Sequence, residues 1–349
     1  MIRESFTLGG VTIKPGQKAF IDLRIPDLYT NNPMYCRVQV IHGRQPGPTV
    51  FISGAIHGDE INGVEIIRRV LQIRSIKNLK GTLIAVPVVN VFGFIAKTRY
   101  LPDRRDLNRS FPGSEKGSLA GRTAHLFLNE IVKRCTHGID LHTAAVHRDN
   151  FPQVRAVLGD PETKRMAEAF AAPIIVNTGL LEGSLRHAGA ELGVPIIVYE
   201  AGEALRFDEV SIRAGVRGVI STLRELGLLA KSRSKTPKIP SHYARSSLWV
   251  RAPKSGILRS EKKLGDPVTK DEILATVSDP FGESDEVVTA PNDGLIIGRT
   301  NIPLVNEGEA LFHIARFKDT DSMAESIEGF QYEMDPATDD TPSDQTPIV

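Results

Sequence analysis

His57 and Glu60, three residues apart in "GAIHGDEINGVEIIRRV" (54–70), carry the first chemistry legible in this chain. Imidazole plus carboxylate suits zinc, which takes about four ligands at ~2.0–2.2 Å and keeps one position open when it is catalytic. Spanning the first turn of a helix, the pair would bring both side chains to one point. The competing reading is a solvated strand-to-helix turn, with Asp59 capping a helix that begins at Glu60 or Ile61. A third ligand decides between them, and "GIDLHTA" (138–144) offers His142 at the end of an apolar run, with Asp140 on the same face. Glu200 in "VYEAGE" (198–203) ends another apolar run. A carboxylate there is costly unless a metal, an arginine or a proton-transfer task accompanies it. "TRYLPDRRDLNRSFPG" (98–113) is too irregular for a helix or strand and is dense in guanidinium groups, at Arg99, Arg104, Arg105 and Arg109. Its bland reading is a solvated basic face, but the adjacent Asn108 and Arg109 are planar donors suited to a carboxylate.

Elements must bring these residues together. "TVFISGAI", "TLIAVPVVNV", "GIDLHT", "VRAVLG", "PIIVNTG" and "VPIIVYEAG" are short, continuous and rich in Val and Ile, as strands covered on both faces are. Between them, 59–74, 119–135, 160–171, 184–192 and 208–229 carry apolar residues at helical spacing. The alternation predicts an α/β fold, a mostly parallel sheet with helices on both faces, over residues 1–230. Sites in such sheets form beyond the carboxyl ends of the strands. His57, Asn90, His142 and Glu200 each follow one.

Residues 231–246, "KSRSKTPKIPSHYARS", are basic and aperiodic and read as a linker. Residues 247–316 then change to short strands and contain a two-fold echo. "APKSGIL" (252–258) is answered by "APNDGLI" (290–296), and "LGDPVTKDEILATV" (264–277) by "IPLVNEGEALFHI" (302–314). Two half-units too small to bury their own faces imply a β sandwich closed by pseudo-symmetric packing. The pattern resembles biotinyl/lipoyl-type barrel-sandwich domains, which present a lysine at the tip of a central hairpin. The equivalent turn here, "SDPFGES" (278–284), has no lysine, so a structural or oligomer-forming module is expected rather than a carrier. From Lys318 to Val349 nine acidic residues meet one basic residue, and 317–349 reads as a disordered tail.

Composition narrows the class. At 41% hydrophobic, 24% charged and net charge +1, the chain gives no reason to expect nucleic acid or a membrane as partner. Cys36 and Cys135 are the only cysteines, which leaves no disulfide framework and no Cys-based zinc motif. The polar start "MIRESFTLGG" and the lack of a long apolar run predict a cytoplasmic protein. Ser53 and Ser184 lack the context of a nucleophile elbow, and Cys135 reads as packing.

Taken in order, His57-x-x-Glu60, Asp106-Leu107-Asn108-Arg109, Asp140-Leu141-His142 and Glu200-Ala201-Gly202 resemble the motif series of the succinylglutamate desuccinylase/aspartoacylase family, a branch of the zinc carboxypeptidase-like hydrolases. The match spans about residues 45 to 230. The resemblance implies one zinc per chain, held by His57, Glu60 and His142 with water completing the site. It implies Glu200 as general base and Arg99 as the stabiliser of the oxyanion, with Arg104 and Arg105 as alternatives. Asn108 and Arg109 would grip the substrate carboxylate, Arg186 would add a further contact, and Asp106 would orient His57. The implied activity is removal of an acyl group from a small N-acyl amino acid. A peptide-cleaving carboxypeptidase is the alternative, and a metal-binding protein without turnover is a third reading. A homo-oligomer remains open.

Overall fold

The alternating strands assemble into one mixed sheet in a computed structural model that describes residues 3–231, 240–318 and 321–335. Four parallel strands form its centre: Thr82–Val86, Thr49–Gly54, His137–Ala144 and Ile196–Glu203, side by side in that order. Antiparallel strands extend both sides. Met34–His42 and Gln17–Ile25 lie beyond Thr82–Val86, and Arg148–Ala156 lies beyond Ile196–Glu203.

Side-chain alternation assigns the faces. Val50, Ile52, Ile139, Leu141, Ile197 and Tyr199 pack under the helices Asn62–Gln72, Pro161–Phe170 and Glu209–Glu225. Phe51, Ile84 and Ile196 face the helices Leu119–Glu130 and Leu185–Glu191 on the other side. The helices start where side chains satisfy their free N–H groups. Asp160 accepts from Thr163 N–H at 2.7 Å and Asp208 accepts from Ser211 N–H at 2.6 Å. Ser184, the second serine weighed as a nucleophile, accepts from His187 N–H at 3.2 Å. Cys135 is buried, and that burial pushes its thiol pKa well up, as packing demands.

Three expectations change. Helix Asn62–Gln72 begins later than Glu60 or Ile61, and Ile61 at its N-cap makes no side-chain bond. His57 and Glu60 therefore sit in the preceding turn, closed by Glu60 N–H donating to His57 C=O at 3.1 Å, and Asp59 is buried rather than capping. Residues 232–239 of the expected linker lie outside the described residues, but His242–Ala244 is a strand parallel to Ile174–Asn177. Pairing to a buried strand outweighed the polar composition. The acidic tail is not wholly disordered either. Asp321–Met334 is a helix whose Met323, Ile327, Phe330 and Met334 are buried in the same core as Phe151 and Ile212. Those four residues recur at helical spacing, an apolar stripe that composition alone conceals. Residues 319–320 and 336–349 lie outside the described residues.

The echo in the C-terminal region becomes an exchange of strands. Pro267–Val268 of the first half-unit pairs with Gly294–Thr300 of the second, and Leu304–Val305 of the second pairs with Gly256–Ser260 of the first. Equivalent residues Leu258 and Ile296, Val268 and Val305, Leu274 and Leu311 share one core. The module also continues the main sheet: Gly294–Thr300 pairs with the first part of Arg148–Ala156, while Ile174–Asn177 pairs with the last part.

Candidate metal and catalytic cleft

At the carboxyl end of the parallel strands, Asp140 and His142 point away from the Ile139–Leu141 face, and Val198 and Glu200 sit directly beside them on the next strand. Glu200 is the register partner of His142. The turn after Thr49–Gly54 brings in the remaining pair. Its Gly58 has no room for a side chain, since a Cβ there would lie 2.0 Å from the backbone carbon of Gly93.

His57, Glu60 and His142 are buried, and one potential ligand atom from each lies within 4.8 Å of the others. His57 Nδ1 is 2.7 Å from Glu60 Oε1, and His142 Nδ1 is 2.6 Å from Glu60 Oε2. The far nitrogens are held by carboxylates: His57 Nε2 by Asp106 Oδ1 at 3.0 Å and His142 Nε2 by Asp140 Oδ2 at 2.7 Å. Ser53 in turn donates to Asp140 at 2.8 Å. Two imidazoles aiming Nδ1 at one carboxylate, each anchored through Nε2, form a donor set that fits a divalent cation, because anchoring fixes tautomer and ring orientation. Burial would raise the Glu60 pKa, but His57 and His142 hold it well below the usual carboxylate range. Burial would lower the imidazole pKa values; at His142 the carboxylates of Asp140 and Glu60 outweigh it, and at His57 those of Glu60 and Asp106 do.

Arg99 is 3.2 Å from Glu60 Oε1 and donates twice to Asp106 Oδ2, while Asn90 Nδ2 donates to its backbone carbonyl at 3.3 Å. Asp106 also accepts from Asn108 N–H at 2.8 Å, which ties the arginine-rich loop to His57. Asn108 Oδ1 accepts from Leu185 N–H at 2.9 Å, so its NH2 group is the part able to donate to a ligand. Arg109 donates to Asn108 C=O at 2.6 Å, and Arg186 reaches the carbonyl of Gly179 at 2.9 Å. Burial, with Arg155 nearby, lowers the Arg186 pKa. Glu200 accepts from Asn150 Nδ2 at 2.7 Å and lies 3.2 Å from Arg155 Nη1.

Eight of the site residues named from the sequence line one cleft of about 260 Å³: His57, Glu60, His142, Arg99, Asn108, Arg109, Arg186 and Glu200. Asp106 stands behind His57. Arg104 and Arg105 do not line it; both are exposed. Sequence reasoning missed Asn150, Arg155, Arg148 and Trp249. Arg155 carried the same signal as Glu200, a lone charge in the apolar run "VRAVLG". Trp249 carried none, because its place depends on Ser246–Arg251 pairing with Ala310–Arg316.

A model of the succinylglutamate desuccinylase/aspartoacylase catalytic domain matches residues 46–226. An N-alpha-acetyl-L-2,4-diaminobutyric acid deacetylase from Halomonas elongata is 30% identical over 285 residues, 78% of this chain and 83% of that protein. Among solved structures, a succinylglutamate desuccinylase/aspartoacylase from Rhodobacter sphaeroides superposes with a TM-score of 0.78 at 23% identity, over 90% of this chain and 97% of that one. The product-bound ectoine utilization protein EutE (DoeB) from Ruegeria pomeroyi superposes with a TM-score of 0.77 at 25% identity, over 86% and 94%.

Proposed function

Because the chain belongs to the succinylglutamate desuccinylase/aspartoacylase family, we propose that it is a metal-dependent amidohydrolase that removes the acyl group from a small N-acyl amino acid. The observation that carries the reading is the register of His142 and Glu200 on adjacent strands, which sets a proton-accepting carboxylate beside the buried His57–Glu60–His142 cluster. His57, Glu60 and His142 would hold zinc, which when bound supplies Lewis acidity and lowers the pKa of water.

The protein's own groups do the rest. Glu200 takes a proton from the attacking water and passes it to the departing amine nitrogen. Arg155 and Asn150 hold that carboxylate in place until the water reaches it. Arg99 keeps a guanidinium beside Glu60, where charge develops on the carbonyl oxygen. Asn108 and Arg109 receive the amino-acid carboxylate and so fix the amide against Glu200. Trp249 closes one side of the cleft with a ring supplied by the C-terminal module, which favours a small substrate over a peptide.

Amine release from N-acetyl and N-succinyl amino acids, set beside N-blocked dipeptides and measured with the bound metal quantified, tests the reading. We expect zinc near one per chain and cleavage confined to the acyl amino acids. Preferential cleavage of the dipeptides would move the protein to the carboxypeptidases.

A further inference from the structure

The cleft carries more positive charge than the deacylation step uses. Its acidic residues are all engaged: Glu60 by His57, His142 and Arg99, Asp140 by Ser53 and His142, and Glu200 by Asn150 and Arg155. Of its arginines, Arg99 and Arg155 are ion-paired, whereas Arg109, Arg148 and Arg186 make no ion pair among the described residues. No carboxylate is left to receive an ammonium group, and three guanidinium groups are left to receive anions.

Arg148 is the one of these three without a role so far, and it is held with care. Its strand begins after His147, whose φ is 66°, and Arg148 N–H donates to Ala145 C=O at 3.0 Å. Thr300 of the C-terminal module is its register partner, and Asn301 N–H fixes the neighbouring His147 carbonyl at 2.8 Å. The guanidinium lies over the Trp249 ring, 5.5 Å from its centroid. Trp249 is itself stacked on His313 at 4.6 Å with planes 8° apart. A guanidinium braced by an aromatic face loses little freedom when it meets an anion.

We propose that Arg148, braced on Trp249, is a specificity-determining residue that takes a second anionic group on the substrate, beyond the carboxylate received by Asn108 and Arg109. The proposal rests on the deacylase reading. It separates this chain from its Halomonas elongata relative, named for a diaminobutyric acid derivative whose remaining amine would be a cation. The second anion sits either on the amino-acid side chain or on the acyl group, and substrate choice distinguishes the two.

The metal-loaded full chain would be assayed with N-acetyl-L-glutamate, N-succinyl-L-norvaline, N-acetyl-L-norvaline and N-α-acetyl-L-2,4-diaminobutyrate. One of the two dianionic substrates should exceed both of the others in kcat/KM by about tenfold or more. For that substrate Arg148→Ala should raise KM about ten- to a hundredfold with kcat changed less than about threefold, and Arg148→Lys should recover part of the loss. On N-acetyl-L-norvaline Arg148→Ala should cost several-fold less. Calorimetry on the unmutated protein gives a readout free of turnover and of folding defects: L-glutamate or succinate should bind more tightly than L-2,4-diaminobutyrate. Preference for the diaminobutyrate compound in either measurement, or an Arg148→Ala loss equal on all substrates, overturns the inference while leaving a deacylase. No release from any acyl amino acid overturns the deacylase reading and this inference with it.

Discussion

Glu200 and His142 face each other across one register position, yet the tasks assigned to them are separable. Glu200→Gln keeps the shape and one of the two accepting oxygens while removing the proton acceptor. It should retain bound metal and lower kcat by about 10²–10⁴-fold, as loss of a general base does. His142→Ala should instead lower the metal content itself, read by elemental analysis after dialysis; an unchanged stoichiometry would exclude His142 as a ligand. Asp140→Asn tests the layer behind. It weakens the acceptor that orients His142 Nε2, and metal affinity should fall about 10–100-fold with the fold retained. The His57–Glu60–His142 cluster, Glu200 and the Asn108–Arg109 pair of the cleft were legible in the chain because each stood against its background: a carboxylate closing an apolar run, an imidazole at a strand end. Asn150 and Trp249 were not, because an asparagine in a strand and a lone tryptophan announce nothing until a distant segment pairs beside them.

Elements obeyed periodicity wherever burial on both sides enforced it. The central strands and the helices between them follow from runs such as "PIIVNTG" and from helical spacing, with ends displaced by a few residues. The start of the helix after His57 was displaced because the turn at 57–60 packs against Gly93 and delays it. Gly58→Ala should therefore be costly beyond propensity: a Cβ meeting backbone at 2.0 Å must move the turn, so both thermal stability and metal uptake should drop together. The helix Asp321–Met334 was illegible for the opposite reason, since the acidic composition of the segment obscured the four buried apolar residues. Its Phe330 is 2% exposed, with its ring 6.0 Å from that of Phe151. Phe330→Ala should cost about 3–5 kcal/mol in urea unfolding, whereas a substitution in a solvated tail would cost nothing measurable.

Across the whole molecule, buried His313 and half-buried Asp149 make stability depend on pH in opposite senses. His313 is pushed down to about 3 by burial and by Arg155, so below about pH 6.5 the unfolded chain takes up a proton that the folded one refuses, and stability falls with acidity. Asp149 is pushed up to about 6 by burial and by Asp208 and Glu203. The folded state then holds the extra proton between about pH 4 and 6, and stability falls as pH rises through that window. Asp149→Asn should stabilise the protein at pH 7 but not at pH 4, with urea midpoints at both values as the check. The exchanged strands of the C-terminal module have a consequence of their own during synthesis on the ribosome. Residues 267–268 cannot find their partner strand until 294–300 has emerged, 256–260 pairs with 273–278 but leaves its other edge open until 304–305, and the strand bearing Trp249 waits for 310–316. The nascent chain thus spends its last stages with the wall of the cleft unbuilt, and an early stop codon would release an enzyme open on that side.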